Sequence, residues 1–126
     1  MKMLVIDDSM TARLIVKRAL ESEGHTVLEA PDGAVGLTVL QVNPRIDAII
    51  LDWNMPVMNG FDCLTEIRSN PAYNGIKIIM CTTEAERGQV VRAIKSGANG
   101  YVLKPFTPPI LMAAVNKVMG TVPQPA

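Results

Sequence analysis

Asp7 and Asp8 follow the apolar run Met3-Leu4-Val5-Ile6, and Asp52 follows Ala48-Ile49-Ile50-Leu51. Thr82 follows Ile78-Ile79-Met80-Cys81, and Lys104, with Pro105 after it, follows Tyr101-Val102-Leu103. If these runs are parallel strands of one sheet, three carboxylates, a hydroxyl and an ammonium gather at its carboxyl edge, where open α/β sheets bind ligands. Carboxylate oxygens suit a hard divalent cation such as Mg²⁺, and an ammonium and a hydroxyl suit the oxygens of a phosphoryl group.

Each residue also has a plainer reading. One acid of Asp7-Asp8 can cap the helix that follows, although Ser9 can do the same work. Asp52 can close a buried strand as a turn residue, and Thr82 can cap the fourth helix. Lys104 can pair structurally with Asp7 or Asp52. The plain readings fail together at one point. Like charges about 4 Å apart at an effective dielectric near 20 cost on the order of 4 kcal/mol per pair, so three gathered acids call for a cation. Two acids in the first loop also repel phosphate unless a cation intervenes, whereas a phosphate-binding loop there shows Gly, Ser or Thr with free amides. Pro105 raises the prospect of a cis peptide that aims Lys104.

The positioning elements follow from periodicity. After the first strand, Met10, Leu14, Ile15, Val16, Ala19 and Leu20 give a helical apolar stripe, with Arg13, Lys17 and Glu21 outside it and Gly24 at its end. His25 to Ala30 reads as a second strand. Val35, Leu37, Val39 and Leu40 mark a second helix that stops at Asn43-Pro44. Beyond the loop 56–60, Phe61, Leu64 and Ile67 form the inner face of a third helix, halted at Asn70-Pro71. A fourth helix runs from Glu86 to Ser96, with Val90, Ala93 and Ile94 inward and Gly97 at its end. The fifth opens with Thr107 as N-cap and Pro108 at the first helical position, and buries Leu111, Val115, Val118 and Met119. Five βα units predict an open, doubly wound parallel sheet of the flavodoxin-like kind, because right-handed crossovers place helices on both faces. They are too few for an eight-stranded barrel. The expected switch point, between the first and third strands, carries Asp7, Asp8 and Asp52.

Composition bounds the rest. At 126 residues, 48% hydrophobic and 19% charged, the chain is expected to form one compact domain over residues 1–120, with 121–126 as a short tail. Twelve basic and twelve acidic residues cancel, so no electrostatic footprint for nucleic acid or a membrane surface is expected. Cys63 and Cys81 lie in apolar stretches without metal-type spacing and read as reduced core thiols. No signal peptide or membrane span is evident, and a cytoplasmic location is expected.

With these residues in place, the chain resembles the response-regulator receiver domain from Met1 to about Gly120. The resemblance rests on Asp7-Asp8, Asp52, Asn59-Gly60, Thr82 and Lys104-Pro105-Phe106. Asp52-Trp53-Asn54-Met55-Pro56, Glu84 and Gly100-Tyr101-Val102 are similar to the single-domain chemotaxis regulators of that family. The resemblance implies strand order 2-1-3-4-5 and a phosphoacceptor role for Asp52, with a histidine kinase as donor. It implies Mg²⁺ on Asp8, Asp52 and the backbone carbonyl of Asn54, with Asp7 acting through water. Lys104 would neutralise phosphoryl oxygens, and Thr82 and Tyr101 would form the switch. Asn54 and Glu84 would tune dephosphorylation. The partner face would be the fourth helix, fifth strand and fifth helix, read by a flagellar switch or a relay protein. The chain would be a signalling protein that catalyses only its own phosphorylation and dephosphorylation. Glu86-Arg87, mixed in sign, and Ala113-Ala114 depart from the basic surface of motor-binding regulators.

Three other readings compete. A small Mg²⁺-dependent aspartyl-phosphate phosphatase would begin with Asp-x-Asp and carry a cap, and neither feature is present. A flavin carrier of the flavodoxin kind would welcome phosphate in its first loop. A degenerate receiver, kept only for interaction, would have lost some of the functional side chains, and all are here.

Overall fold

The computed structural model describes residues 1–83 and 88–120. Strands and helices alternate as β1 (Lys2–Ile6), α1 (Met10–Ser22), β2 (Thr26–Ala30), α2 (Gly33–Val42), β3 (Ala48–Asp52) and α3 (Gly60–Arg68). They continue as β4 (Lys77–Thr83), α4 (Val90–Lys95), β5 (Gly100–Lys104) and α5 (Pro108–Met119). The five strands form one parallel sheet in the order β2-β1-β3-β4-β5. The expected doubly wound architecture is therefore the observed one, with β1 beside β3 at the point where the order reverses.

The two-residue period of the strands sorts the core into two layers. Leu4, Ile6, Ile49, Leu51, Ile78 and Met80 pack against α2, α3 and α4 through Leu40, Leu64, Ile67 and Ala93. Met3, Val5, Ile50, Ile79, Cys81 and Val102 pack on the other face against α1 and α5 through Val16, Leu20, Leu111 and Val115. Because β3 is buried along its whole length, it reads as an unbroken apolar run. Both thiols are free and buried, and burial raises each to about 12.

Three stripes differ in part from expectation; in α5 Leu111 and Val115 are buried, while Val118 and Met119 are only partly so. Met10, Leu14 and Ile15 of α1 are exposed, Met10 by 74%, and only Val16, Ala19 and Leu20 are buried. Successive helical residues are about 100° apart, so Ile15 stands well off the face centred on Val16. Ile94 of α4 is likewise exposed, while Val90 and Ala93 face the core. The expected start of α4 at Glu86 and the tail 121–126 lie outside the described residues. Among the described residues no helix is long and apolar enough to cross a membrane.

Candidate phosphoacceptor and metal site

The ends of β1, β3 and β5 place the acids and the ammonium together. Asp7 and Asp52 are 6% and 5% exposed, while Asp8 is open to solvent. One carboxylate oxygen from each of Asp7, Asp8 and Asp52 lies within 4.8 Å of the others. Lys104 Nζ donates to Asp52 Oδ1 at 2.7 Å and to Asp7 Oδ2 at 3.4 Å. The Lys104–Pro105 bond is cis.

Local structure explains why these groups stay in place. Asp7 donates its N–H to Ala30 O at 3.1 Å, its Oδ1 accepts the Ser9 N–H at 2.9 Å, and its carbonyl accepts Arg13 Nη1 at 2.7 Å. Ser9 takes the capping role, accepting the Ala12 N–H at 3.2 Å. Both acids are thereby released from serving as the helix cap. After β3, Trp53 N–H donates to Cys81 O at 3.0 Å, and Gly60 N–H returns to Trp53 O at 2.7 Å. A Cβ at Gly60 would run into the Asp52 carbonyl oxygen and lie 2.8 Å from Trp53 Cα. The β3–α3 loop thus folds back on the phosphoacceptor candidate only because residue 60 has no side chain. Asn59 then caps α3 by accepting the Asp62 N–H at 2.9 Å.

Electrostatics set Asp52 apart. Its carboxyl is raised from 3.8 to about 6: burial is the largest cause, the Lys104 hydrogen bond and charge work against it, and the neighbouring charges of Asp7 and Asp8 add to it. A cavity of about 450 Å³ runs inward from Asp7, Asp52 and Lys104 along Val16, Ile50 and Phe106, so part of the wall around these groups is apolar. For Lys104, burial works against the charged form, yet the Asp52 hydrogen bond and the charges of Asp52 and Asp7 outweigh it, and its pKa is raised.

Thr82 belongs to β4 and is fully buried, so it is not the cap of the fourth helix. Among the described residues its hydroxyl has no hydrogen-bond partner. A buried unpaired hydroxyl costs about 1–3 kcal/mol. Tyr101 sits on β5 opposite Met80 and is 41% exposed. Asn54 is exposed in the turn after β3, and Glu84 lies outside the described residues.

The donor set fits a hard divalent cation. Among the described residues the ammonium of Lys104 lies within bonding distance of two of the three carboxylates, Asp52 and Asp7, which leaves negative charge uncompensated, and carboxylate oxygens are the ligands Mg²⁺ takes. One contributor was not foreseen. Arg13, placed outside the α1 stripe by its charge, has a side chain only 14% exposed and reaches the site loop. Its spacing, three residues before Val16, puts it on the flank of the buried face, and that was the available signal.

Comparison with known proteins agrees with this geometry. The response regulator receiver domain model matches residues 3–116. The chain is 43% identical to a chemotaxis protein CheY homolog of Campylobacter jejuni, over 96% of this chain and 94% of that one. It is 44% identical to chemotaxis protein CheY1 of Helicobacter pylori, over 96% and 98% of the two chains. Among solved structures, CheY4 of Vibrio cholerae superposes with a TM-score of 0.86 at 37% identity, covering 93% of this chain and 97% of that one. A response regulator receiver domain protein from Clostridium thermocellum gives 0.86 at 34% identity, covering 94% of each.

Proposed function

Because the chain belongs to the response-regulator receiver family, a family of two-component signalling proteins with chemotaxis regulators among its similar members, we propose that it is a single-domain regulator phosphorylated on Asp52. The observation that carries this reading is the convergence of Asp7, Asp8 and Asp52 on one point with Lys104 bonded to Asp52. Residues 1–120 act as the receiver, with 121–126 as a tail.

The donor is a histidine kinase bearing phosphohistidine. An Asp52 carboxylate oxygen attacks phosphorus, the P–N bond breaks, and the imidazole leaves with the electron pair. Phosphoryl transfer asks a protein mainly for positioning and charge neutralisation. Lys104 supplies positive charge to phosphoryl oxygens once it exchanges its carboxylate partner for them. Asp8, Asp52 and the Asn54 backbone carbonyl would hold Mg²⁺, with Asp7 acting through water, and the ion, when bound, would supply the remaining charge neutralisation. Water then attacks phosphorus, the bond between Asp52 oxygen and phosphorus breaks, inorganic phosphate leaves and the carboxylate returns; Asn54 and Glu84 tune this step. The protein thus catalyses its own phosphorylation and dephosphorylation and turns over no separate substrate.

Thr82 donates its hydroxyl to the new phosphoryl group, and Tyr101, 41% exposed in the structure, moves into the space left behind. This charge event biases a two-state surface made by α4, β5 and α5. That surface holds exposed Ile94 and Tyr101 beside Lys117, and a protein partner, a flagellar switch component or a relay protein, reads it. Ala113 and Ala114 of α5 offer no charge to a partner, which favours a relay or another non-motor target as the second reading. A pull-down with and without the phosphoryl mimic beryllofluoride tests the output: a partner retained only with the mimic supports the switch, and equal retention contradicts it.

A further inference from the structure

We propose that Arg13 is a positioning residue for the acidic cluster: it holds the Asp7–Asp8 peptide so that both carboxylates meet Asp52. The inference rests on the reading of that cluster as a cation site.

Asp8 is the exposed acid of the three, so its place depends on the backbone that carries it. The carbonyl oxygen of Asp7 and the nitrogen of Asp8 belong to one planar peptide. Fixing that oxygen fixes the direction in which Asp8 leaves the strand. Arg13 Nη1 donates to this oxygen at 2.7 Å. The same guanidinium is braced from behind: Nε lies 3.5 Å from Glu29 Oε1 on β2, an ion pair by distance whose geometry leaves Nε without a hydrogen bond. Glu29 is itself held by Lys17 at 3.3 Å. The loop is thus gripped at Asp7 from two sides, through its N–H by Ala30 and through its carbonyl by Arg13.

A guanidinium performs two tasks at once, reaching the carbonyl with one nitrogen while another faces Glu29. A lysine presents its donors from one compact nitrogen, so it does not reproduce the fork that reaches the carbonyl and faces Glu29 from separate nitrogens. Arg13→Lys therefore separates positioning from charge, because the positive charge stays and the fork is lost.

Mg²⁺ titration of the folded protein, followed through the fluorescence of Trp53, the single tryptophan and the neighbour of Asp52, tests the inference. Arg13→Lys should raise the Mg²⁺ dissociation constant about tenfold, the lower range for residues that orient metal ligands, and Glu29→Gln should raise it by less. Glu29→Gln changes a partly exposed ion pair, so it serves even where Arg13→Lys fails to fold. A role in stability alone would lower the urea midpoint and leave the affinity of folded protein unchanged. Wild-type affinity in both variants, beside a normal wild-type titration, overturns the inference alone. A wild type with no saturable Mg²⁺ response overturns the cation reading and this inference together.

Discussion

Lys104 Nζ sits 2.7 Å from Asp52 Oδ1 and 3.4 Å from Asp7 Oδ2, bridging two nearly buried carboxylates from neighbouring strands. Its partners come from the ends of the first and third strands and Lys104 from the fifth, so the contact exists only when β1, β3, β4 and β5 are assembled. In the absence of a divalent cation this ammonium is what holds the acids together. Its removal leaves them facing one another. Lys104→Met is expected to lower stability by about 2 kcal/mol at neutral pH, less than a fully buried pair because the ammonium is partly exposed. Saturating Mg²⁺ should recover most of the loss, and urea unfolding with and without the ion checks both parts.

Asp52 gives a pH dependence of stated sign. Its folded carboxyl titrates near 6, above its ordinary 3.8, because burial disfavours the charge. The native state therefore binds the proton more tightly than the unfolded chain. Below the ordinary value both states are protonated and nothing is lost; above about 6 the buried charge destabilises the fold in full. Asp52→Asn removes the charge, and should stabilise the divalent-free protein by about 1–2 kcal/mol at pH 7, with the gain fading between pH 6 and pH 4. Urea midpoints of the two proteins across that range are the measurement, and a constant difference contradicts the account.

Thr82 hides a hydroxyl with no partner among the described residues. Valine has nearly the same shape and no hydroxyl, so Thr82→Val should stabilise the resting protein by about 1 kcal/mol. The same variant should still accept phosphate on Asp52 but lose the beryllofluoride-dependent change around Tyr101. Thermal unfolding reads the first effect, and the tyrosine resonances read the second.

Gly60 has no room for a methyl group against the Asp52 carbonyl and Trp53 Cα. Gly60→Ala should cost about 3 kcal/mol, since the obstacle is backbone and cannot turn aside. It should also shift the Trp53 emission, because Trp53 and Gly60 share a 2.7 Å hydrogen bond. An unchanged midpoint would show that the loop has another way to fold.

Much of this was legible in the sequence because strand ends are marked sharply. Ile6 to Asp7, Leu51 to Asp52 and Leu103 to Lys104 each step from an apolar run to a charge, and all three charged groups meet in the structure. Helix faces were less legible. Met10, Leu14 and Ile15 carry the same apolar character as Val16, and only packing against the sheet decides which of them faces inward. The converse holds for Arg13, whose charge suggested solvent while its position near Val16 draws it over the site loop. Thr82 illustrates a third limit. A threonine after an apolar run reads equally well as a cap or as a strand end, and the folded chain is needed to show that it lies inside β4 with its hydroxyl unpaired among the described residues.

The central claim is that Asp52 accepts a phosphoryl group with the help of a divalent cation. Mass spectrometry of the protein after incubation with a phosphorylated histidine kinase, with Mg²⁺ and with chelator, tests it most directly. One phosphoryl group on Asp52, formed only with Mg²⁺ and abolished in Asp52→Asn, is the expected result. Labelling that persists in Asp52→Asn, that ignores chelator, or that fails with every histidine kinase supplied would contradict it.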